Sequence, residues 1–235
     1  MNVRAVVFDI FGTVVDWRGS LIAQCERFAR GHGCSADWAA LADAWRGAYA
    51  PSMDRVRRGK IPWCNLDALH RSSLDELLPR FGLEALDEDA RDELVQMWHR
   101  LDPWPDAVAG LTQLRKHVLI ATLSNGNVTL LADMAKHAGL PWDVILSAEL
   151  VHHYKPDAET YGLAIEMLGN GRPERVMMAA AHNGDLKHAN AAGMRTAFIA
   201  RPFEHGHNQW SDLRAEPFVD IAVASIVELA ATLAR

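Results

Sequence analysis

Six short apolar runs, none with clean polar alternation, constrain this chain most: Val3–Asp9, Val118–Leu123, Val144–Ser147, Val176–Ala181, Thr196–Ile199 and Ile221–Ala224. A strand with one wet face alternates apolar and polar residues. A strand covered on both faces does not, and that condition belongs to parallel sheets sandwiched by helices. Helical patterns lie between most of the runs, over Pro105–His117, Asn127–Ala138, Asp157–Leu168 and Gly184–Gly193, with Asn127 and Asp157 at N-cap positions. The expectation is an α/β fold with a doubly wound, mostly parallel sheet built from right-handed crossovers. The rhythm breaks between the first and second runs. Stripes of Leu21, Cys25, Phe28 and Ala29, of Trp38, Leu41, Trp45 and Tyr49, of Leu69, Leu74, Leu77 and Leu78, and of Leu94, Met97, Trp98 and Leu101 read as helices. We expect an α/β core over residues 1–18 and 102–235 and an inserted helical cap over 19–101, entered again through Asp102-Pro103-Trp104-Pro105.

Composition narrows the function. The chain has 235 residues, 49% of them apolar and 23% charged, ordinary values for a globular protein with a substantial core. Its formal net charge of −6 argues against nucleic-acid and anionic-membrane partners. The one basic cluster, Arg55–Lys60, reads as a solvated cap loop or a mild lure for anionic substrates. Three cysteines, Cys25, Cys34 and Cys64, lack metal or redox spacing and suit a reducing compartment, with burial expected for Cys25 and Cys64. No signal-peptide pattern precedes Asp9, and no apolar run approaches the ~18 residues of a membrane span, so a cytoplasmic location is expected.

In an open α/β sheet, ligands bind beyond the carboxyl ends of the strands. The first run ends in Asp9, the second in Ser124-Asn125-Gly126-Asn127, and the fourth in His182-Asn183-Gly184-Asp185, while Lys155 follows the third. Alone, such an Asp reads as a cap and such a Lys as a surface charge. Four groups at four strand ends point to one site. His152-His153 and the pair His205 and His207 lack a third ligand at metal spacing and read as solvated loops.

The ordered set Phe8-Asp9-Ile10-Phe11-Gly12-Thr13, Leu123-Ser124-Asn125, Lys155-Pro156-Asp157 and Gly184-Asp185 running into Ala192-Gly193 resembles the haloacid dehalogenase superfamily, and the helical insertion sits where that superfamily carries its cap. The resemblance implies a hydrolase with Asp9 as nucleophile and divides into two chemistries. Phosphatases of the superfamily need an acid two residues after the nucleophile, where this chain has Phe11, and a second carboxylate four residues before Asp185, where it has Ala181. A magnesium ion demands near-octahedral oxygen ligation. No metal and no cofactor are therefore expected. The longer match, Asp9–Trp17 with Ser124–Asn127, Tyr154–Asp157, Tyr161 and Trp45-Arg46, is similar to the type II L-2-haloacid dehalogenases.

That resemblance implies hydrolysis of short (S)-2-haloalkanoic acids to (R)-2-hydroxy acids through an ester on Asp9. Lys155 then stabilises the Asp9 charge and contacts the substrate carboxylate, and Thr13 positions the nucleophile. Ser124 binds the substrate carboxylate, Arg46 and Asn125 receive the halide, and Phe11, Tyr161 and Trp63 shape the pocket. Asp185 orients Lys155 or activates water. The resemblance places a serine and an asparagine at Ala180 and His182 instead. Asn183, shifted by one residue, or His182 as a base near neutrality, is the replacement. Two alternatives stay open: a magnesium-dependent phosphatase of the same fold, and a ligand-binding protein that has lost turnover. The apolar stripes of the cap leave room for a homodimer.

Overall fold

The structure, a computed structural model, describes residues 2–234. Six strands, β1 (Ala5–Phe8), β2 (Leu119–Ser124), β3 (Val144–Ser147), β4 (Val176–Ala180), β5 (Arg195–Ile199) and β6 (Ile221–Val223), form one sheet in the order β3-β2-β1-β4-β5-β6, with every neighbouring pair parallel. The side-chain period of two splits each strand between two apolar layers. Val6, Phe8, Ile120, Met177 and Ala179 face one layer, and Ala5, Val7, Ala121, Val176 and Met178 face the other. Both faces are dry, which is why the sequence shows no polar alternation.

Four helices fill the stretch between β1 and β2 before the chain returns to the sheet: α1 (Trp17–His32), α2 (Trp38–Arg57), α3 (Leu66–Leu77) and α4 (Glu88–Gln96). Asp16, Asp37, Asn65 and Asp87 cap them, each accepting a backbone N–H three residues on. Leu21, Leu41, Trp45, Leu74, Leu94 and Trp98 are buried along the stripes the sequence outlined. Entry and exit are tied together: Asp16 N–H donates to the Asp102 carbonyl at 2.9 Å and Trp104 N–H to the Val14 carbonyl at 2.9 Å.

The crossover helices are α5 (Ala107–Leu114), α6 (Val128–Ala138), α7 (Ala158–Gly169) and α8 (Asn183–Ala191), followed by α9 (Ile226–Leu233) after the last strand. Gly110 allows α5 and α9 to touch, since a Cβ there would lie 2.6 Å from the Ile226 carbonyl carbon. Asn127 and Asp157 occupy N-cap positions, but their side chains do not cap. Asn127 Nδ2 donates to Asp67, and Asp157 accepts from Arg57, so both hold the sheet against the helical insertion. Arg57 ends α2 rather than lying in a solvated loop, and its ion pair with Asp157 spans 2.7 Å. Among the described residues, no helix is long and apolar enough to cross a membrane.

The strand order turns at β1. Strands β2 and β3 lie on one side of it and β4 to β6 on the other. The crevice opens beyond the carboxyl ends at that switch point, between β1 and β4. Asp9 leaves the first of these strands and His182 the second.

Candidate active site

Asp9 N–H donates to the Ala179 carbonyl at 3.0 Å, prolonging the sheet by one bond before the chain turns. The turn closes through Val14 and Val15 N–H on the Ile10 carbonyl, and Gly12 takes φ +85°, a left-handed conformation suited to glycine. This brings Thr13 back under the carboxylate. Thr13 Oγ1 donates to Asp9 Oδ2 at 3.0 Å and accepts from Ala181 N–H at 2.9 Å, locking the β1 loop to the end of β4.

Two cations hold Asp9. Lys155 Nζ lies 3.0 Å from Asp9 Oδ1 and 2.6 Å from Asp185 Oδ2. His182 Nδ1 lies 3.1 Å from Asp9 Oδ2, and its Nε2 lies 2.9 Å from Glu204 Oε2. With a carboxylate at each ring nitrogen, both nitrogens donate and the ring is an imidazolium. Burial opposes the charge on Asp9, but Lys155 and His182 outweigh it and hold the carboxyl well below the usual carboxylate range. Burial works against His182 too, yet Glu204 and Asp9 push it up to about 10. Lys155 is likewise raised, with Asp185 and Asp9 overcoming its burial. Tyr161 donates to Asp185 Oδ1 at 2.7 Å, so both Asp185 oxygens are engaged.

A cavity of about 300 Å³ opens on this cluster, lined among others by Phe11, Arg46, Tyr49, Asn125, Tyr161 and His188. The Arg46 guanidinium reaches in from α2, 4.3 Å over the Tyr49 ring. Asn125 Oδ1 accepts from Lys155 N–H at 2.7 Å, which fixes the side chain in the cavity wall. Asp9, Asp185 and Glu204 face Lys155, His182 and Arg46, so the charges of these groups balance. The donor set does not fit a divalent cation. The Lys155 ammonium bridges the two carboxylates that would have to bind it, and Ala181 adds no oxygen ligand from its side chain.

Asp9, Thr13, Lys155, Asp185, His182, Arg46, Asn125, Tyr161 and Phe11 thus converge. Three expected site residues do not. Ser124 is fully buried, and its hydroxyl accepts from Gly126 N–H, tied into the turn that β2 makes into α6. Asn183 points away from Asp9: its amide donates to Asp212 and to the Arg214 carbonyl and its Oδ1 accepts from Glu216 N–H, fastening the loop before β6. The one-residue shift turns it to the far side of the first turn of α8. Trp63 stacks on His152 and Tyr154, with centroids 5.0 and 4.7 Å apart, outside the cavity lining. Sequence reasoning missed Glu204, because the loop after β5 carries no periodicity and no spacing links it to His182. Tyr49 it read only as part of a packing stripe.

Comparison with known proteins identifies relatives of this chain. The family model for haloacid dehalogenase-like hydrolases matches residues 3–193. The chain belongs to that family. Among curated relatives of this hydrolase, the (S)-2-haloacid dehalogenase of Xanthobacter autotrophicus is 30% identical, with 85% of this chain and 76% of the relative covered. The (S)-2-haloacid dehalogenase 1 of Pseudomonas sp. strain CBS-3 is 30% identical, with 85% of each chain covered. Among solved structures, the L-2-haloacid dehalogenase PA0810 superposes with a TM-score of 0.95 at 50% identity, over 99% of both chains. The defluorinating L-2-haloacid dehalogenase Rha0230 gives 0.96 at 47% identity, over 99% of this chain and 96% of that one.

Proposed function

We propose that this hydrolase converts short (S)-2-haloalkanoic acids to (R)-2-hydroxy acids, without a metal, through an ester on Asp9. One observation carries the reading: a carboxylate kept ionised by Lys155 and His182 faces a small cavity that also holds the Arg46 guanidinium. An Asp oxygen attacks C2 from the side opposite the halide, the C–halide bond breaks, and the ester forms with inversion. Arg46 and Asn125 receive the departing halide. The substrate carboxylate lies on the Lys155 side of the cavity. Water then attacks the Asp9 carbonyl carbon and releases the hydroxy acid. A halide needs no protonation on leaving, so Phe11 suffices where a phosphate ester would call for an acid. The structure of a Xanthobacter autotrophicus relative with covalently bound chloropropionic acid, 25% identical with a TM-score of 0.80 over 99% of this chain and 98% of that one, supports the covalent route.

The test is halide release from L-2-chloropropionate in the presence of EDTA, with chiral analysis of the product. Chloride and (R)-2-hydroxypropionate are expected in equal amounts from the wild type, and neither from Asp9→Asn. No chloride from the wild type, with phosphate released from a phosphate ester once magnesium is added, overturns the reading. The relative named for defluorination makes fluoroacetate the second substrate to assay.

A further inference from the structure

We propose that Glu204 is a positioning residue for the second half of the reaction, holding His182 Nε2–H so that Nδ1 serves as the base for the water that hydrolyses the Asp9 ester. This rests on the dehalogenase reading above. Glu204 lies in the loop after β5, far from every motif, and yet is only 1% exposed. Its carboxylate accepts from His182 Nε2 at 2.9 and 3.1 Å and from Trp17 Nε1 at 3.0 Å. Room for it exists only because residue 12 is glycine: a Cβ there would stand 2.1 Å from Glu204 Oε1. A buried carboxylate behind an imidazole fixes the tautomer and ring orientation and stabilises the imidazolium that forms.

The resting enzyme masks this base. His182 carries a proton on both nitrogens while Asp9 is a carboxylate, and so it acts as a donor to Asp9 Oδ2. Displacement neutralises Asp9 and removes one of the two anions that hold the imidazolium. The remaining partners are Glu204, beside His205 at 3.6 Å, and the groups around the cavity: Lys155 with Asp185, His188 on α8, and Arg46, Tyr49 and Tyr161. The Nδ1 proton then passes to solvent, leaving a neutral ring with Nε2–H on Glu204. That proton is the one the overall reaction releases when haloacid and water become hydroxy acid, halide ion and a proton. Nδ1 takes a proton from water as the oxygen adds to Asp9 Cγ. Collapse breaks the bond between Cγ and the product oxygen, and the product oxygen takes the proton from the new carboxyl group. Asp9 is again a carboxylate beside an imidazolium, the state the structure holds.

Glu204→Gln keeps the shape and an oxygen that can accept from Nε2–H but removes the charge. In rapid-quench experiments with L-2-chloropropionate it should release about one equivalent of chloride per site at close to the wild-type rate, then slow at least tenfold. Intact-protein mass spectrometry should find the ester accumulated on Asp9. The pH profile of ester hydrolysis should move relative to wild type, and Glu204→Asp should restore part of the rate. In a His182→Asn background, adding Glu204→Gln should change little more, because the carboxylate acts through the ring. The inference is overturned if Glu204→Gln slows both half-reactions alike with no ester retained, or if its effect adds in full to that of His182→Asn. A wild type that releases no halide overturns the dehalogenase reading instead, so the two failures are distinct.

Discussion

Replacing Lys155 with methionine keeps the length of the side chain and deletes its charge. The ammonium is paired with Asp9 at 3.0 Å and Asp185 at 2.6 Å, and all three side chains are at most 12% exposed. Each contact corresponds to roughly 5–6 kcal/mol of attraction at an effective dielectric of about 20. Most of that offsets the cost of taking three charges out of water. Deleting one partner strands the carboxylates, and breaking a buried pair in this way costs about 3–5 kcal/mol. For a chain of this size that corresponds to a fall of roughly 6–20 °C in Tm. The loss depends on pH, and its sign is fixed. Without the ammonium, burial raises the carboxyl pKa, so the variant takes up a proton as pH falls and escapes part of the penalty. The Tm gap between wild type and Lys155→Met should therefore be wide at pH 8 and narrower at pH 5, read by scanning calorimetry in matched buffers. Under the proposed mechanism, halide release at pH 8 should fall by about 10²–10³-fold or more, because a charged donor to Asp9 has gone. A gap below about 3 °C at pH 8, or one equal at both pH values, refutes the reasoning.

Three further outcomes are expected. Gly12→Ala strains the backbone at φ +85° and drives a methyl group into the Glu204 carboxylate, so it should cost about 1–3 kcal/mol in urea unfolding and disturb the dyad; a neutral effect contradicts the close approach. His182 is raised in the folded state to about 10 from its ordinary 6.5, so its contribution is complete below 6.5 and is lost as pH rises through about 10. Between these limits wild-type stability should fall by up to about 1.4 kcal/mol per pH unit from this one group, a slope that His182→Asn removes. Arg57→Ala breaks a partly exposed pair between α2 and the start of α7, so unfolding should shift by at most about 1 kcal/mol; a loss of several kcal/mol would show that this pair is more than a surface latch.

Much of the fold was readable before any coordinates. Every strand lies within or beside an expected apolar run, because a sheet dry on both faces writes itself into local composition. The insertion was legible from its leucine and tryptophan stripes, since a helix that buries one face must repeat every 3.6 residues. Asp9, Lys155 and Asp185 were legible as groups at strand ends, where the backbone rather than side-chain packing sets position. Two of the failures share a cause. Ser124 and Asn183 lie next in sequence to residues that do reach the cavity, and one step along a turn or helix rotates a side chain to another wall, while Trp63 packs on His152 and Tyr154 instead.

Local sequence thus decided the architecture and the place of Asp9 at a strand end, because periodicity and strand ends are short-range properties. Whether His182 is an acid or a base was not a short-range property. That was decided by a carboxylate twenty-two residues away, delivered by an irregular loop into a space left by Gly12. Charge in a buried site is set by every group within a few ångströms, and only the folded chain brings those groups together.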